Sequence, residues 1–362
     1  MKLFQSLLRR RISAGIAGFI GLAQAAAACT GIMMSGADGT NIRARTMEWG
    51  AFDLQSAVSI IPPGYEMSSI MDDGSAGATW TTQYGLGRRG ATDGMNEAGL
   101  SGGLCYLPGF AEYPEYDPSH DGPSISPADF LTYALGNFAT VAEVREAMED
   151  IKIVSVFEES LGFAAPVHFF LADPTGARVV IEVVGQEMML HDAPLGVITN
   201  SPAYDWHMTN LRNYLNLSAT ELPTQTVDGT DFAPIGSGTG MFGLPGDFTP
   251  PSRFVRAVAF SHSARPTEGV FDTVRESFRI LDNFNVPAHG VTGGEEGDLV
   301  LSATQYTSVA DMTNGRLYYH TQHNRRVRMI DLAEIDFAAL GGEPITQPLD
   351  PVREEDIEAV TF

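Results

Sequence analysis

AAACTGIMMSGADGTNIRARTMEW, residues 26–49, places a run of small residues, a cysteine and two short apolar stretches in immediate succession. What precedes Cys29 reads as an export signal. Lys2, Arg9, Arg10 and Arg11 form a basic start, Ile12 to Ala25 is apolar, and Ala26-Ala27-Ala28 offers small residues for cleavage. The apolar stretch falls short of the roughly 20 residues a membrane anchor needs. Residues 1–28 are therefore expected to be removed, with 29–362 a single domain exported to the periplasm or secreted. A twin-arginine route and lipidation of Cys29 are the two variants of that reading. Cleavage after Ala28 would make Cys29 the first residue and join a nucleophile and a base in one position. Its α-amine, with a pKa of about 7.7 to 8.0, can take the proton of a thiol at about 8.5. Cys105 is the other cysteine. A bridge between the two is arithmetically possible in an oxidising compartment. No metal is expected, because the cysteines lack CxxC spacing and the eight histidines are scattered without HExxH.

Outward from Cys29, the stretches Cys29 to Ser35 and Asn41 to Met47 predict strands joined at Asp38-Gly39, a strong hairpin signal. Ala57 to Ile61, Val167 to Leu171, Val179 to Val184, Leu299 to Ser308 and Arg316 to His320 are further strand candidates. Ser126-Pro127 predicts a helix start, and Thr140 with Glu143 predicts a capping box. Ser252 to Ser261 and Thr273 to Leu281 have helical spacing, while Leu107 to Pro127 reads as a long loop. Strand runs broken by helix pairs predict layered α/β or α+β packing.

The 362 residues carry 22 basic and 45 acidic side chains, a net charge of −23; loss of the first 28, with four basic and no acidic residues, makes it −27. Such a chain repels anions at long range and does not suit a nucleic-acid backbone. Hydrophobic residues at 44% supply a sizeable core and exclude a disordered chain. Gly99-Leu100-Ser101-Gly102-Gly103 fits the GxSxG nucleophile elbow, but Cys105-Tyr106-Leu107-Pro108 stands where a helix should begin. Gly238 to Gly243 fits GxGxxG, yet Pro245 and Gly246 leave no helix N-terminus for a pyrophosphate. His207, His320 and His323 could serve as bases; their bland reading is structural or surface histidine.

Several segments in order resemble the choloylglycine hydrolases, which include conjugated bile salt hydrolases and penicillin V acylases. They are Cys29-Thr30-Gly31, ARTMEW (44–49), DGMNEAGL (93–100), TNSPAYDWH (199–207), GTGMFGLPGDFTPPSRF (238–254) and TQYTS (304–308). The resemblance implies an N-terminal nucleophile hydrolase, an α+β four-layer αββα sandwich, usually a homotetramer, that cleaves a linear amide without a cofactor. It assigns the nucleophile to Cys29 and arginines of the pocket to Arg45 and Arg253. Asn200 is implied as an oxyanion donor, and the backbone N–H of Tyr106 as completing that hole. Asp205 and Trp206 are expected to pack or cap the following helix.

Glu48 stands where the family usually has Asp holding the α-amine, which lengthens that arm by a methylene. Tyr106 stands where bile salt hydrolases commonly have Asn and penicillin V acylases often have an aromatic residue. Trp49, Tyr106 and the Leu107 to Pro127 loop are expected to wall a pocket for an apolar acyl group. Penicillin V acylase-type cleavage of a small-molecule amide is the expected function, with bile salt hydrolysis and N-acyl homoserine lactone deacylation as alternatives. An inactive or lipidated binding protein of the same fold, and a serine esterase using Ser101, are the readings from other classes.

Overall fold

The computed structural model describes residues 28–50, 53–120, 122–159, 161–287, 303–353 and 357–362. The expected signal, apart from Ala28, lies outside them. β1 (Ala28–Ser35) and β2 (Asn41–Glu48) form the predicted hairpin, with Ala28 opposite Glu48 and Ser35 opposite Asn41. Gly39, at φ +87°, supplies the left-handed residue the turn requires. Val197–Ile198 flanks β1, and Thr304–Asp311, Arg316–Thr321 and Arg328–Asp331 continue beyond β2, completing a six-stranded antiparallel sheet. A second, eight-stranded sheet runs in the order Glu187–His191, Arg178–Val184, Val167–Ala172, Ser101–Tyr106, Asp93–Asn96, Leu86–Arg89, Ala57–Ile61, Ile345–Pro348. Val167–Ala172 and Thr304–Asp311 are buried at every residue, so both faces of these central strands are covered.

Helices supply the covering. α1 (Phe130–Asn137) packs on the eight-stranded sheet, and α2 (Val141–Ala147) adds Val141 and Val144 to the core on that side. α3 (Tyr204–Asn210) precedes α4 (Pro250–Ser263) and α5 (Val270–Leu281), which pack on the six-stranded sheet. The order helix, sheet, sheet, helix is the expected αββα sandwich. The Thr140–Glu143 capping box is present. α1 starts later than Ser126-Pro127 suggested, because Ser126 Oγ accepts the N–H groups of Ala128 and Asp129 and holds them in a turn. The strand expected from Leu299 begins at Thr304, and residues 299–302 lie outside the described residues. Within the expected loop of residues 107–127, Ser124–Ile125 pairs in parallel with Lys152–Ile153. Tyr113 anchors the loop by donating to the Ala165 carbonyl at 2.9 Å and accepting from the Val167 N–H at 2.9 Å.

The two sheets are stapled by buried charge. Arg43 on β2 reaches across to Asp93, which also takes Arg89 Nε at 2.9 Å and the Ser308 hydroxyl at 2.6 Å. Burial alone would raise the Asp93 pKa, but Arg89, Arg43 and Arg45 outweigh it and hold the carboxyl well below the usual range. Ser101 of the GxSxG match is part of this staple, accepting from Arg43 Nε at 2.9 Å and donating to the Gly94 carbonyl at 3.0 Å. Its fully buried hydroxyl is structural, not a nucleophile.

Asp93→Asn is expected to cost about 3 to 5 kcal/mol, since it leaves buried guanidinium groups uncompensated; urea unfolding measures it. A depressed carboxylate pKa gives stability that is complete above the unfolded value of about 3.9 and is lost as pH falls below it. The variant should therefore lose less stability than the parent between pH 5 and pH 2.

Candidate active site

Cys29 lies on β1 at the inner face of the sandwich, and its thiol is ringed by groups from distant segments. Arg45, two strand positions from Met47 on β2, donates from Nη2 to Cys29 Sγ at 2.9 Å. Its other nitrogen, Nη1, is fixed by the carbonyls of Thr92 and Leu104, each at 2.7 Å. Gly103 makes room for this: a Cβ there would stand 3.0 Å from Arg43 Nη1 and 3.1 Å from Arg45 Nη1. Arg253 comes from the first turn of α4, a helix opened by Pro250-Pro251. It donates to the Cys29 carbonyl and to Thr30 Oγ1, and from Nη2 to Asn200 Oδ1 at 2.8 Å.

The resting thiol is tuned toward its anion. A hydrogen bond from the Cys105 thiol is the largest influence, followed by the opposing effect of burial, then Arg45, Arg253 and the backbone N–H of Tyr106. Together they hold Cys29 well below the ordinary thiol range. Cys105 moves the other way, pushed up by the same contact and by burial. Glu48, fully buried, is raised to about 8, chiefly by burial and then by the negative sulfur, with Arg253, Thr46 and Thr304 opposing. One Glu48 oxygen accepts from Thr304 Oγ1 at 2.8 Å; the other has no hydrogen-bond partner.

Beside the sulfur opens a cavity of about 320 Å³ whose walls include Met47, Trp49, Leu104, Tyr106, Leu161 and Val167. Trp49 and Tyr106 meet edge to face, 5.7 Å between centroids at 89°. The charged side chains among the residues lining it are Glu48 and Glu158.

Cys29, Arg45, Glu48, Trp49, Tyr106, Asn200 and Arg253 thus converge, though two expected contacts differ. The Cys29 nitrogen donates to Asn200 Oδ1 at 2.7 Å, not to Glu48. Ala28 is still joined to it, so the nitrogen is a peptide N–H with one hydrogen to give, and Glu48 lies opposite Ala28 in the β1–β2 register. Asn200 Nδ2, expected to face an oxyanion, donates to the Tyr106 carbonyl at 2.7 Å in this resting arrangement. Asp205 lies in the first turn of α3 and takes the Trp206 N–H, while Trp206 itself is exposed. His320 packs on Phe278 and His323 faces Asp53, so neither adjoins the sulfur. The GxGxxG match is a tight turn in which a Cβ on Gly240 would strike the Thr220 carbonyl oxygen at 2.1 Å. Among the described residues no group of three or more His, Cys, Asp or Glu side chains is placed to hold a metal ion, and no helix is long and apolar enough to cross a membrane. The sequence alone offers Cys105 only as a bridge partner for Cys29. Its alternation with Leu104 on a strand gave no sign that it would face Cys29 across the sandwich.

An αββα sandwich with a buried, arginine-activated cysteine at the head of an inner strand defines a hydrolase of the N-terminal nucleophile type. Residues 29–346 match the linear amide C–N hydrolases of the choloylglycine hydrolase family, and the chain belongs to that family. It is 32% identical over 317 residues to the bile salt hydrolase/transferase of Clostridium perfringens, covering 84% of this chain and 92% of that one. With the penicillin V acylase of Pectobacterium atrosepticum it shares 28% identity over 335 residues, 86% and 82% of the two chains. Among solved structures, a variant of the conjugated bile acid hydrolase from C. perfringens superposes with a TM-score of 0.80 at 28% identity, covering 92% of this chain and 100% of that one. The penicillin V acylase from Agrobacterium tumefaciens gives 0.71 at 25% identity, covering 88% and 90%.

Cys105→Ala removes the largest influence lowering the Cys29 thiol. The midpoint of thiolate formation, followed by absorbance near 240 nm, is expected to move to higher pH. Activity should then fall most on the acid side of the profile; an unmoved midpoint would show that the Cys105 contact does not stabilise the anion.

Proposed function

We propose that this amide hydrolase is a penicillin V acylase-type enzyme, acting through Cys29 on an amide whose acyl part is compact, aromatic and uncharged. The wall formed by Trp49 and Tyr106 beside the Cys29 sulfur carries this reading. A flat aryl group gains edge and face contacts there. Among the described residues lining the cavity there is no lysine, arginine or histidine to pair with an anionic acyl end. A second reading, hydrolysis of bile salt conjugates, is favoured by the 32% identity to a protein of that name. Acyl homoserine lactones, neutral amides with an apolar acyl chain, are a third possibility.

In this mechanism export removes residues 1–28 and frees the α-amine of Cys29 for the base role. Removal of Ala28 would uncover the Glu48 oxygen that now lacks a partner, beside the new ammonium. The sulfur attacks the amide carbonyl, and the carbon–nitrogen bond breaks as the ammonium gives its proton to the leaving amine. Water then cleaves the thioester and regenerates the thiol. Arg45 holds the thiolate before attack. The Tyr106 N–H and the Asn200 amide, once released from the Tyr106 carbonyl, receive the developing oxyanion, a donor role typically worth about 3 to 4 kcal/mol. We also propose a homotetramer, as the family resemblance implies; Leu215, Leu222, Val227, Phe232, Ile235 and Phe242 are apolar side chains exposed in the segment before α4.

Amine release from penicillin V, glycocholate and an acyl homoserine lactone, assayed in parallel, tests the substrate class, with penicillin V expected to be cleaved most efficiently. Tyr106→Asn should shift the ratio of kcat/KM values toward glycocholate by about tenfold, the scale of one lost aromatic contact. Preference for glycocholate by the parent protein would transfer the reading to the bile salt hydrolases. Intact mass of the exported protein should begin at Cys29; a retained Ala28 or an attached lipid would favour a binding protein. Sedimentation measures the assembly.

A further inference from the structure

The Asn200 side chain joins the Cys29 N–H, Arg253 and the Tyr106 carbonyl, and its position depends on a loop with no strand partner beyond Ile198. The peptide plane before it ends in the Thr199 carbonyl, the plane after it in its own carbonyl. Each is taken by a buried histidine. His168 Nε2 lies 3.1 Å from the Thr199 oxygen, and His207 Nε2 lies 2.8 Å from the Asn200 oxygen. Two oriented planes leave the Cα–Cβ direction between them little freedom, because only φ and ψ of Asn200 separate them.

We propose that His168 and His207 are positioning residues that clamp the backbone on either side of Asn200, with Glu182 orienting His168, so that the Asn200 amide meets the reacting centre in one geometry. The proposal rests on the reading of Asn200 as part of the amidohydrolase machinery.

Donor and acceptor chemistry fits each member. His168 Nδ1 lies 2.7 Å from Glu182 Oε1. With a carboxylate on one nitrogen and a carbonyl on the other, both ring nitrogens of His168 face acceptors. Glu182 also accepts the Tyr204 N–H at 3.0 Å, which ties it to the start of α3, and His191 Nε2 stands 3.4 Å from its second oxygen. Burial would raise the Glu182 pKa, but the hydrogen bonds from His168 and His191, with Tyr204, bring it down to about 2. His207 is the neutral partner: burial lowers it to about 4, against the bond to Asn200 that favours its charged form. Its Nδ1 has no hydrogen-bond partner. Its ring stacks on Phe254, 4.7 Å between centroids at 11°, next in sequence to Arg253. Thr199 adds a bond from its hydroxyl to the Pro250 carbonyl at 3.1 Å. The clamp therefore binds the Asn200 loop to the same helix that delivers Arg253.

The test compares His207→Phe, which keeps the stacking and removes the donor, with His207→Gln, whose amide reaches the same carbonyl. Steady-state kinetics use whichever of penicillin V, glycocholate and the acyl homoserine lactone the parent turns over. His207→Phe should lower kcat about 30-fold, part of the 10²–10³ lost with an oxyanion donor itself. KM should stay within about threefold, and iodoacetamide should still titrate one reactive thiol per chain. His207→Gln should recover kcat to within about fivefold of the parent. A kcat unchanged in His207→Phe, a loss matched by lost reactive thiols, or a glutamine variant no better than phenylalanine would each overturn the clamp. A crystal structure of His207→Phe reads the proposal without any substrate: the peptide plane after Asn200 should turn and carry its Oδ1 off Arg253, and an undisturbed Asn200 would refute it. Should the parent turn over none of the three amides, the enzymatic reading fails while this structural measurement still decides the clamp.

Discussion

Positive charge buried between two sheets is the constraint on which the architecture turns. Arg43, Arg45, Arg89 and Arg253 are almost wholly removed from solvent. Each must be hydrogen-bonded, and any nearby negative charge helps, because an uncompensated ion in the interior is far more costly than a single packing defect. Asp93 balances Arg43 and Arg89 directly. Glu48 is held so far toward its neutral form that it compensates little near pH 7. Arg45 donates to carbonyls and to sulfur atoms, and none of its hydrogen bonds goes to a carboxylate. The group best placed to supply the missing negative charge is the Cys29 sulfur. An activated thiolate is thus part of the charge balance of the core as well as a feature of the chemistry.

That balance explains why so many local choices around the site are small or rigid. Gly103 leaves space for two guanidinium groups from the facing strand, and Ser101 Oγ accepts from one of them. Thr304 holds Glu48 through the hydroxyl that also accepts the Val286 N–H, so the longer carboxylate arm is fixed by a residue of the neighbouring strand. Two sheets placed face to face bring these groups together although they come from residues as far apart as 29, 93, 200, 253 and 304.

The parts of this arrangement legible in the sequence are those that depend on short range. The turn at Asp38-Gly39, the Thr140–Glu143 box and the proline-opened α4 follow from residues that are neighbours in the chain. Cys29, Arg45, Arg253, Asn200 and the Trp49–Tyr106 pair are legible through ordered motifs, and the structure brings them to one place. What could not be read was pairing across the sandwich. Cys105 faces Cys29 because β1 lies over the strand Ser101–Tyr106, a relation no periodicity encodes. His168 and His207 carried the same ambiguity: a lone histidine in a strand or helix has no local signature separating a surface residue from one that holds a catalytic loop. The bonds of Asn200 were missed for a further reason, since an amide has two ends and only the fold decides which neighbour each end meets.

The sequence-level charge also acquires a different meaning once the arginines are located. A net charge of −23 suggests a barrier to any anionic substrate. Among the described residues the buried arginines are matched by buried acids, Glu48, Asp93, Asp173, Glu182, Glu276 and Asp311, so the outer surface stays about as acidic as the total implies. Yet solvent-exposed charges are screened over about 8 Å at physiological ionic strength, whereas the buried guanidinium groups under the cavity floor are screened far less. A substrate near the mouth feels a weak, salt-dependent repulsion that slows its arrival; a substrate within the cavity meets the lining itself, with Arg45 behind the Cys29 sulfur. Surface charge therefore governs association at low salt, while discrimination among amides falls to the walls around Cys29, where the Trp49–Tyr106 pair and its apolar neighbours set which acyl group can be desolvated.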